Sequence, residues 1–274
     1  IFRNIGIENE GMPLAVQNDV DVLATSTYYS FTCGPVDLEL VFTAPMIIDD
    51  YDLLSSPINY ISYQVTSNDA KDHDVQLLLT ASPKIAQNQY NQPTRSSLIE
   101  ENGVRYLQTG TVEQPILAKT GDHICIDWGY FYLAGINGNV ALSSDAQIKQ
   151  TFMESGKLPQ SETEVVSENA NDQPLLAYVH DFGKIRGARS YTLVGYDEIY
   201  DIEYFYKRYK AYWAHNGNVS IFDMFRRLDS SYSSVMKRCR EMDRRIYDDA
   251  FAVGGDKYAE LLSGSYRHVI AAHK

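Results

Sequence analysis

The sequence predicts a mainly β protein with a C-terminal helical part, an antiparallel β-sandwich followed by helices, and three observations predict it. Through the first two thirds of the chain, short runs alternate apolar and polar residues and are closed by turn residues; in the last third, apolar residues recur at steps of three and four. Charge divides near the same place: residues 1–186 hold 10 Lys and Arg against 24 Asp and Glu, a balance of −14, whereas 187–274 hold 14 against 12, a balance of +2. The division expected is a sandwich domain over 1–186, then a linker and the first helices of a helical domain over 187–274.

The period-two runs are 20–31, 36–42, 58–65, 74–80, 104–109, 124–133, 139–142 and 175–180. Turn chemistry separates them, as in Cys33-Gly34-Pro35, Asn68-Asp69, Asn102-Gly103, Gly121-Asp122 and Asn137-Gly138-Asn139. With no helical period between these runs, crossover connections are not expected, which favours a sandwich over a doubly wound sheet. The stretch 154–172, rich in Ser, Glu, Gln and Asn, reads as a solvated excursion. After Tyr196 the period becomes helical. Phe222, Phe225, Leu228, Tyr232, Val235, Met236, Cys239, Met242 and Ile246 form the stripe of one long amphipathic helix that Gly254-Gly255 ends. Before it, 199–213 carries five tyrosines among Lys and Arg; after it, Asp256 can cap a further helix with Tyr258, Leu261, Leu262 and Val269 as its apolar face.

Composition excludes several function classes. Hydrophobic residues at 44% and charged residues at 22% are ordinary globular usage, and no apolar run approaches the ~20 residues of a membrane span. The net charge of −12 opposes nucleic acid and anionic membrane as partners, because phosphate binding rests on clustered Lys and Arg. Ile1-Phe2-Arg3-Asn4 shows no initiator Met and no signal-peptide pattern, so a processed or excised piece is expected. Cys33, Cys125 and Cys239 match no zinc spacing and read as three buried thiols, a single bridge between Cys33 and Cys125 being the alternative. The glycine-rich nucleotide signatures, His-Glu-x-x-His and the Gly-x-Ser-x-Gly elbow are missing, and the six histidines are scattered, so no cofactor and no metal are expected.

Three places carry candidate chemistry. In Asp127-Trp128-Gly129-Tyr130-Phe131-Tyr132, alternation puts Asp127, Gly129 and Phe131 on one strand face and Trp128, Tyr130 and Tyr132 on the other. There Asp127 can act as acid, base or cation ligand and the rings can form a platform for a polar ligand; the plainer reading is that the rings fill the core. Asp49, Asp50 and Asp52 crowd three carboxylates into four residues without the order of a calcium loop, and a solvated turn is expected. Asp248 and Asp249 sit toward the end of the long helix, where the helix dipole disfavours negative charge, and Arg244, Arg245 or Arg267 could offset them.

Several phrases resemble the glutaminase A family of fungi and bacteria. They are Thr32-Cys33-Gly34-Pro35-Val36-Asp37-Leu38, Phe42-Thr43-Ala44-Pro45, Asp49-Asp50, Pro57-Ile58-Asn59-Tyr60-Ile61-Ser62, His73-Asp74-Val75-Gln76-Leu77, Asp127-Trp128-Gly129-Tyr130, and the run from Tyr258 to His268 with Ala271-Ala272-His273. The resemblance implies a secreted or periplasmic, cell-envelope amidohydrolase that converts L-glutamine to L-glutamate and ammonia. It also implies a sandwich leading into an (α/α) toroid, of which this chain holds only the first helices, so that it is catalytically incomplete alone and has the rest of its helical domain as a partner. Site residues expected on this reading are Asp127, Asp248 and Asp249 as catalytic candidates and Trp128, Tyr130, Tyr266 and Arg267 as substrate-binding candidates for a small-molecule substrate. A carbohydrate-active protein of similar architecture, a glycosidase fragment or a sugar-binding module with Trp128 and Tyr130 as platform, is the second reading.

Overall fold

The computed structural model describes residues 2–5, 12–121 and 126–272. Fourteen strands are described: β1 Val16–Val22, β2 Ser26–Thr32, β3 Val36–Thr43, β4 Ile58–Ser67, β5 His73–Ala81, β6 Thr94–Glu101, β7 Val104–Thr111, β8 Tyr130–Ala134, β9 Asn139–Ser143, β10 Glu164–Ser167, β11 Leu175–Ile185, β12 Gly187–Asp197, β13 Ile202–Tyr204 and β14 Lys207–Tyr209. The helices are α1 Tyr51–Leu54, α2 Asp145–Ser155, α3 Ile221–Ser230, α4 Tyr232–Gly254 and α5 Asp256–Ala271. The pairs β1–β2, β2–β3, β3–β4, β6–β7, β7–β8, β8–β12, β6–β10, β9–β11 and β13–β14 are antiparallel, and helices α3 to α5 follow the strands. The chain makes two compact units that interleave in sequence: Ile1–Val75 with Phe182–Tyr191 and Ser230–Lys274, and Gln76–Asp181 with Thr192–Asp229.

In the first unit β1, β2, β3 and β4 form an up-and-down run of neighbours. In β3, Leu38 and Leu40 are buried on one face of the sheet and Val41 and Thr43 on the other, while Glu39 and Phe42 are exposed. Helices α4 and α5 cover it. Tyr232 stacks on Tyr191 with ring centroids 3.6 Å apart and pairs its hydroxyl with Ser62 Oγ at 2.9 Å. Gly255, at φ +72°, sits in the left-handed region between α4 and α5, where only glycine turns the chain without strain.

In the second unit the order is β12, β8, β7, β6, β10, and the three-stranded sheet β5, β11, β9 places β9 against β6 and β7. Leu107, Leu133, Leu142, Leu176, Tyr178 and Leu193 are buried there. Helix α3 adds Phe222 and Phe225, whose rings lie 5.0 and 5.1 Å from that of Tyr106.

Several expectations need correction. The long helix is two: α3 stops at Ser230 and α4 begins at Tyr232, because Asp229-Ser230-Ser231 gathers residues whose side chains compete with helical hydrogen bonds. The stripe divides accordingly, Phe225 and Leu228 in the second unit and Val235, Met236, Cys239 and Met242 in the first, while Tyr232 and Ile246 are half-buried. The tyrosine-rich 199–213 holds the hairpin β13–β14, not a helix. Helix α2 interrupts the strand series; its one buried residue, Ile148, gave the sequence too little apolar period. Within 154–172, β10 pairs with β6. The buried face of α5 is Ala259 and Ser263, small residues that let it approach α4, and Leu261 and Val269 are exposed. Cys33 is half-buried and free, Cys239 buried and free; Cys125, His123 and His273 lie outside the described residues, and so does the proposed Cys33–Cys125 bridge. No helix among the described residues is long and apolar enough to cross a membrane.

Candidate functional site

Two buried polar clusters carry the candidate residues, one in each unit. In the second unit, strand β8 begins only at Tyr130, so Asp127-Trp128-Gly129 precedes it instead of alternating within it. Gly129 is the reason, with φ at +89°. Asp127 is buried, its Oδ2 accepting from Lys119 Nζ at 3.0 Å and from Gln92 Nε2 at 3.4 Å, and its backbone carbonyl accepts from Thr111 Oγ1 at 2.9 Å. Trp128 is 6% exposed and donates from Nε1 to the Tyr200 carbonyl at 3.2 Å, so its ring fills core and offers no open face. Tyr130 is half-buried. Tyr196, its hydroxyl on the Trp128 carbonyl at 2.8 Å, is pushed up to about 12 by burial and then by the charges of Glu198 and Asp127.

Gly129 also touches a strained turn. A Cβ on it would run into the carbonyl of Asp197, and two residues further Ile199, β-branched, is held at φ +67° with its N–H on Asp197 Oδ1 at 2.8 Å. Gly129→Ala is therefore expected to destabilise by about 1–3 kcal/mol, combining the disfavoured φ with a clash that needs backbone movement. A thermal melt indistinguishable from the parent chain would show that this loop yields freely.

The first unit holds the larger cluster. Asp243, 2% exposed on α4, accepts from the Thr25 N–H through Oδ1 at 2.6 Å and from Thr25 Oγ1 through Oδ2 at 2.9 Å. From α5, Arg267 donates Nε–H to the Leu23 carbonyl at 2.6 Å and Nη1–H to Thr27 Oγ1 at 2.8 Å. Burial raises the Asp243 carboxyl above the ordinary range, opposed by Thr25 and by the Arg267 charge, and burial likewise lowers Arg267. In both groups desolvation outweighs the attraction between them, the usual balance for buried charges that do not touch. Arg267 Nη2 and Ser263 Oγ, one helical turn earlier, are buried with no hydrogen-bond partner among the described residues. Tyr266 donates its hydroxyl to the Met46 carbonyl at 2.6 Å. Cys239, also in this cluster, is pushed up to about 12 by burial, so its thiol is not a nucleophile at neutral pH.

The expected site residues thus fall into both units. Asp127, Trp128 and Tyr130 belong to the second; Tyr266 and Arg267 belong to the first, where they hold the 23–46 stretch, and Asp248 and Asp249 are exposed on α4. Asp50 is the N-cap of α1, accepting from Leu53 N–H at 3.1 Å, and pairs with Arg238 at 2.6 Å. Among the described residues no group of three His, Cys, Asp or Glu is arranged to hold a metal. Sequence reasoning missed Asp243 and Thr25. The signal was present: Asp243 lies four residues after Cys239, on the buried stripe.

Residues 25–249 match the family described as domain of unknown function (DUF5127). The chain belongs to that family. The DUF5127 match opens at Thr25 and runs through Asp243, so the pair joined across 218 residues lies near its two ends. Glutaminase A of Aspergillus oryzae is 22% identical over 276 residues, 95% of this chain and 39% of the relative, so the chain spans about two fifths of the relative it matches. Among solved structures, a chain described as a kojibiose phosphorylase from the human microbiome is 10% identical with a TM-score of 0.43, over 88% of this chain and 26% of that one. The heparan sulfate lyase HepC of Pedobacter heparinus is 8% identical with a TM-score of 0.32, over 68% and 22%.

Proposed function

We propose that this DUF5127 chain is part of a glutaminase-like amidohydrolase, a secreted or cell-envelope enzyme that hydrolyses L-glutamine to L-glutamate and ammonia. The observation that supports it is the alignment with glutaminase A, which takes in 95% of this chain. In this reading residues 1–186 are the sandwich and 187–274 lead into a toroid, and both clusters brace the fold instead of reacting. Asp127 Oδ2 and both carboxylate oxygens of Asp243 accept from protein donors and Cys239 is protonated, which supports bracing over reaction in both clusters.

Ammonia release from L-glutamine by the full-length parent and by the 274-residue chain tests the reading. Turnover by the parent and none by the chain is expected, since nucleophile, base and oxyanion donors must converge within hydrogen-bonding distance. Turnover by the 274 residues alone would overturn the bracing role. A parent inert toward glutamine that cleaves a glycoside would promote the carbohydrate-active reading.

A further inference from the structure

The hairpin β13–β14 breaks the local rules of stability. Tyr204 pairs with Lys207, leaving Phe205 and Tyr206 as a two-residue turn, and both adopt positive φ, +47° and +64°. Such turns favour Asn-Gly, because a side chain at positive φ is strained. Here two aromatic residues occupy it, and neither gains burial: Tyr204, Phe205 and Tyr206 are 62%, 80% and 98% exposed. A cationic collar stands beside the tip. Lys207 lies over the Tyr209 ring at 5.2 Å, Lys210 over Tyr200 at 5.5 Å, and Arg208 pairs with Glu203 at 3.1 Å.

The same unit offers a complementary hollow. A cavity of about 410 Å³ is lined by Gln147, Thr151, Pro159, Gln160, Ser161 and Glu162, ample for one aromatic side chain. Its surroundings are acidic: residues 145–164 hold Asp145, Glu154, Glu162 and Glu164 against Lys149 and Lys157. Asp145 and Glu164 are paired with Lys149 and Arg95, and Glu154 and Glu162 are exposed with no ion pair among the described residues.

We propose that two copies of this chain associate by reciprocal exchange of the β13–β14 hairpin, the Phe205–Tyr206 tip of each entering the α2 cavity of the other while Lys207 and Lys210 meet Glu154 and Glu162. Pro159 offers a face for a ring to stack on, and the Gln147 and Gln160 amides can bond a phenol hydroxyl. Area favours a reciprocal contact. One ring in the cavity and one at its rim, at roughly 150–250 Å² each, bury about 300–500 Å² once but about 600–1,000 Å² when exchanged, the size of a weak, reversible interface. A two-fold arrangement closes the assembly at two copies. The proposal does not rest on the glutaminase reading.

Sedimentation velocity over a concentration series tests it. The chain should show a monomer–dimer equilibrium that weakens with added salt. Phe205→Ser with Tyr206→Ser should weaken it by about thirtyfold or more, the effect of losing a central aromatic anchor. Lys207→Glu with Lys210→Glu should also abolish dimers, and combining these with Glu154→Lys and Glu162→Lys should restore them, a rescue no misfolded variant could give. A chain monomeric at every concentration, a dimer indifferent to the tip, or a tip-dependent dimer that the charge swap fails to restore would each overturn the proposal.

Discussion

Asp243→Ala is expected to destabilise the first unit by about 3–5 kcal/mol, the scale for removing one member of a buried charge network. Three losses combine. The Thr25 N–H and Oγ1 lose their acceptor while 1% exposed, and the Arg267 guanidinium loses the carboxylate that offsets its burial. Asp243→Asn should cost less, because the amide oxygen still accepts the Thr25 N–H and the Thr25 hydroxyl can turn to accept from the amide. The sign of its pH dependence follows from burial. Since burial raises the Asp243 carboxyl in the fold, the folded chain holds this proton more tightly than the unfolded chain, where the group titrates near 3.9. The extra stability is therefore full below about pH 4 and is lost as pH rises through the folded value. The asparagine variant lacks that loss, so its deficit relative to the parent should shrink between pH 4 and neutrality. Urea titrations at several pH values measure it; a deficit that grows with pH would mean that Thr25 and Arg267 outweigh burial.

What the sequence made legible follows from what repeats locally. In β5, half-buried Val75, Leu77 and Leu79 alternate with exposed Asp74, Gln76 and Thr80, and a period of two survives any tertiary context that covers one face. Gly254-Gly255 was equally legible, since a helix end needing φ +72° writes itself as glycine. The junction between α3 and α4 was not, because Phe225, Leu228, Tyr232 and Val235 keep helical spacing across Ser231 and only the change of packing partner separates them. The hairpin β13–β14 hid for the opposite reason: its turn carries Phe205-Tyr206 where turn chemistry would write Asn-Gly.

The candidate site was legible only in part, for a related reason. Tyr266 and Arg267 stood out as polar groups on a helix, but what they bind is backbone at Met46 and Leu23, more than 200 residues earlier. Asp243 sits in Met242-Asp243-Arg244-Arg245, which reads as a solvated face until its position on the Cys239 stripe is noticed. The Asp127 loop was read as strand because Gly129 fits an alternating pattern as well as any small residue, and its positive φ has no signature in one sequence.

Helix α3 should depend most on Phe225, and Phe225→Ala is expected to cost about 3–5 kcal/mol. Its side chain is fully buried, with ring centroids 5.1 Å from Tyr106 and 6.3 Å from Tyr132, tilted at 48° and 64°, geometries that add attraction beyond the area removed from water. The hole left by alanine cannot close easily. Tyr132 is held by the Gln108 amide, which donates to its hydroxyl at 2.6 Å, and Tyr106 is fixed by strand pairing with Ala134 on β8 and Ile99 on β6. Both tyrosines are pushed up by burial, Tyr106 to about 12, so neither phenol ionises to draw water into the gap at neutral pH. Phe225→Leu should recover most of the loss, costing about 1.5 kcal/mol or less. Phe222, half-buried against the same two rings, should cost less than Phe225 when cut to alanine. Urea denaturation followed by tyrosine fluorescence ranks the three; equal costs for Phe222→Ala and Phe225→Ala would mean that α3 is held by its exposed edge and not by the buried ring.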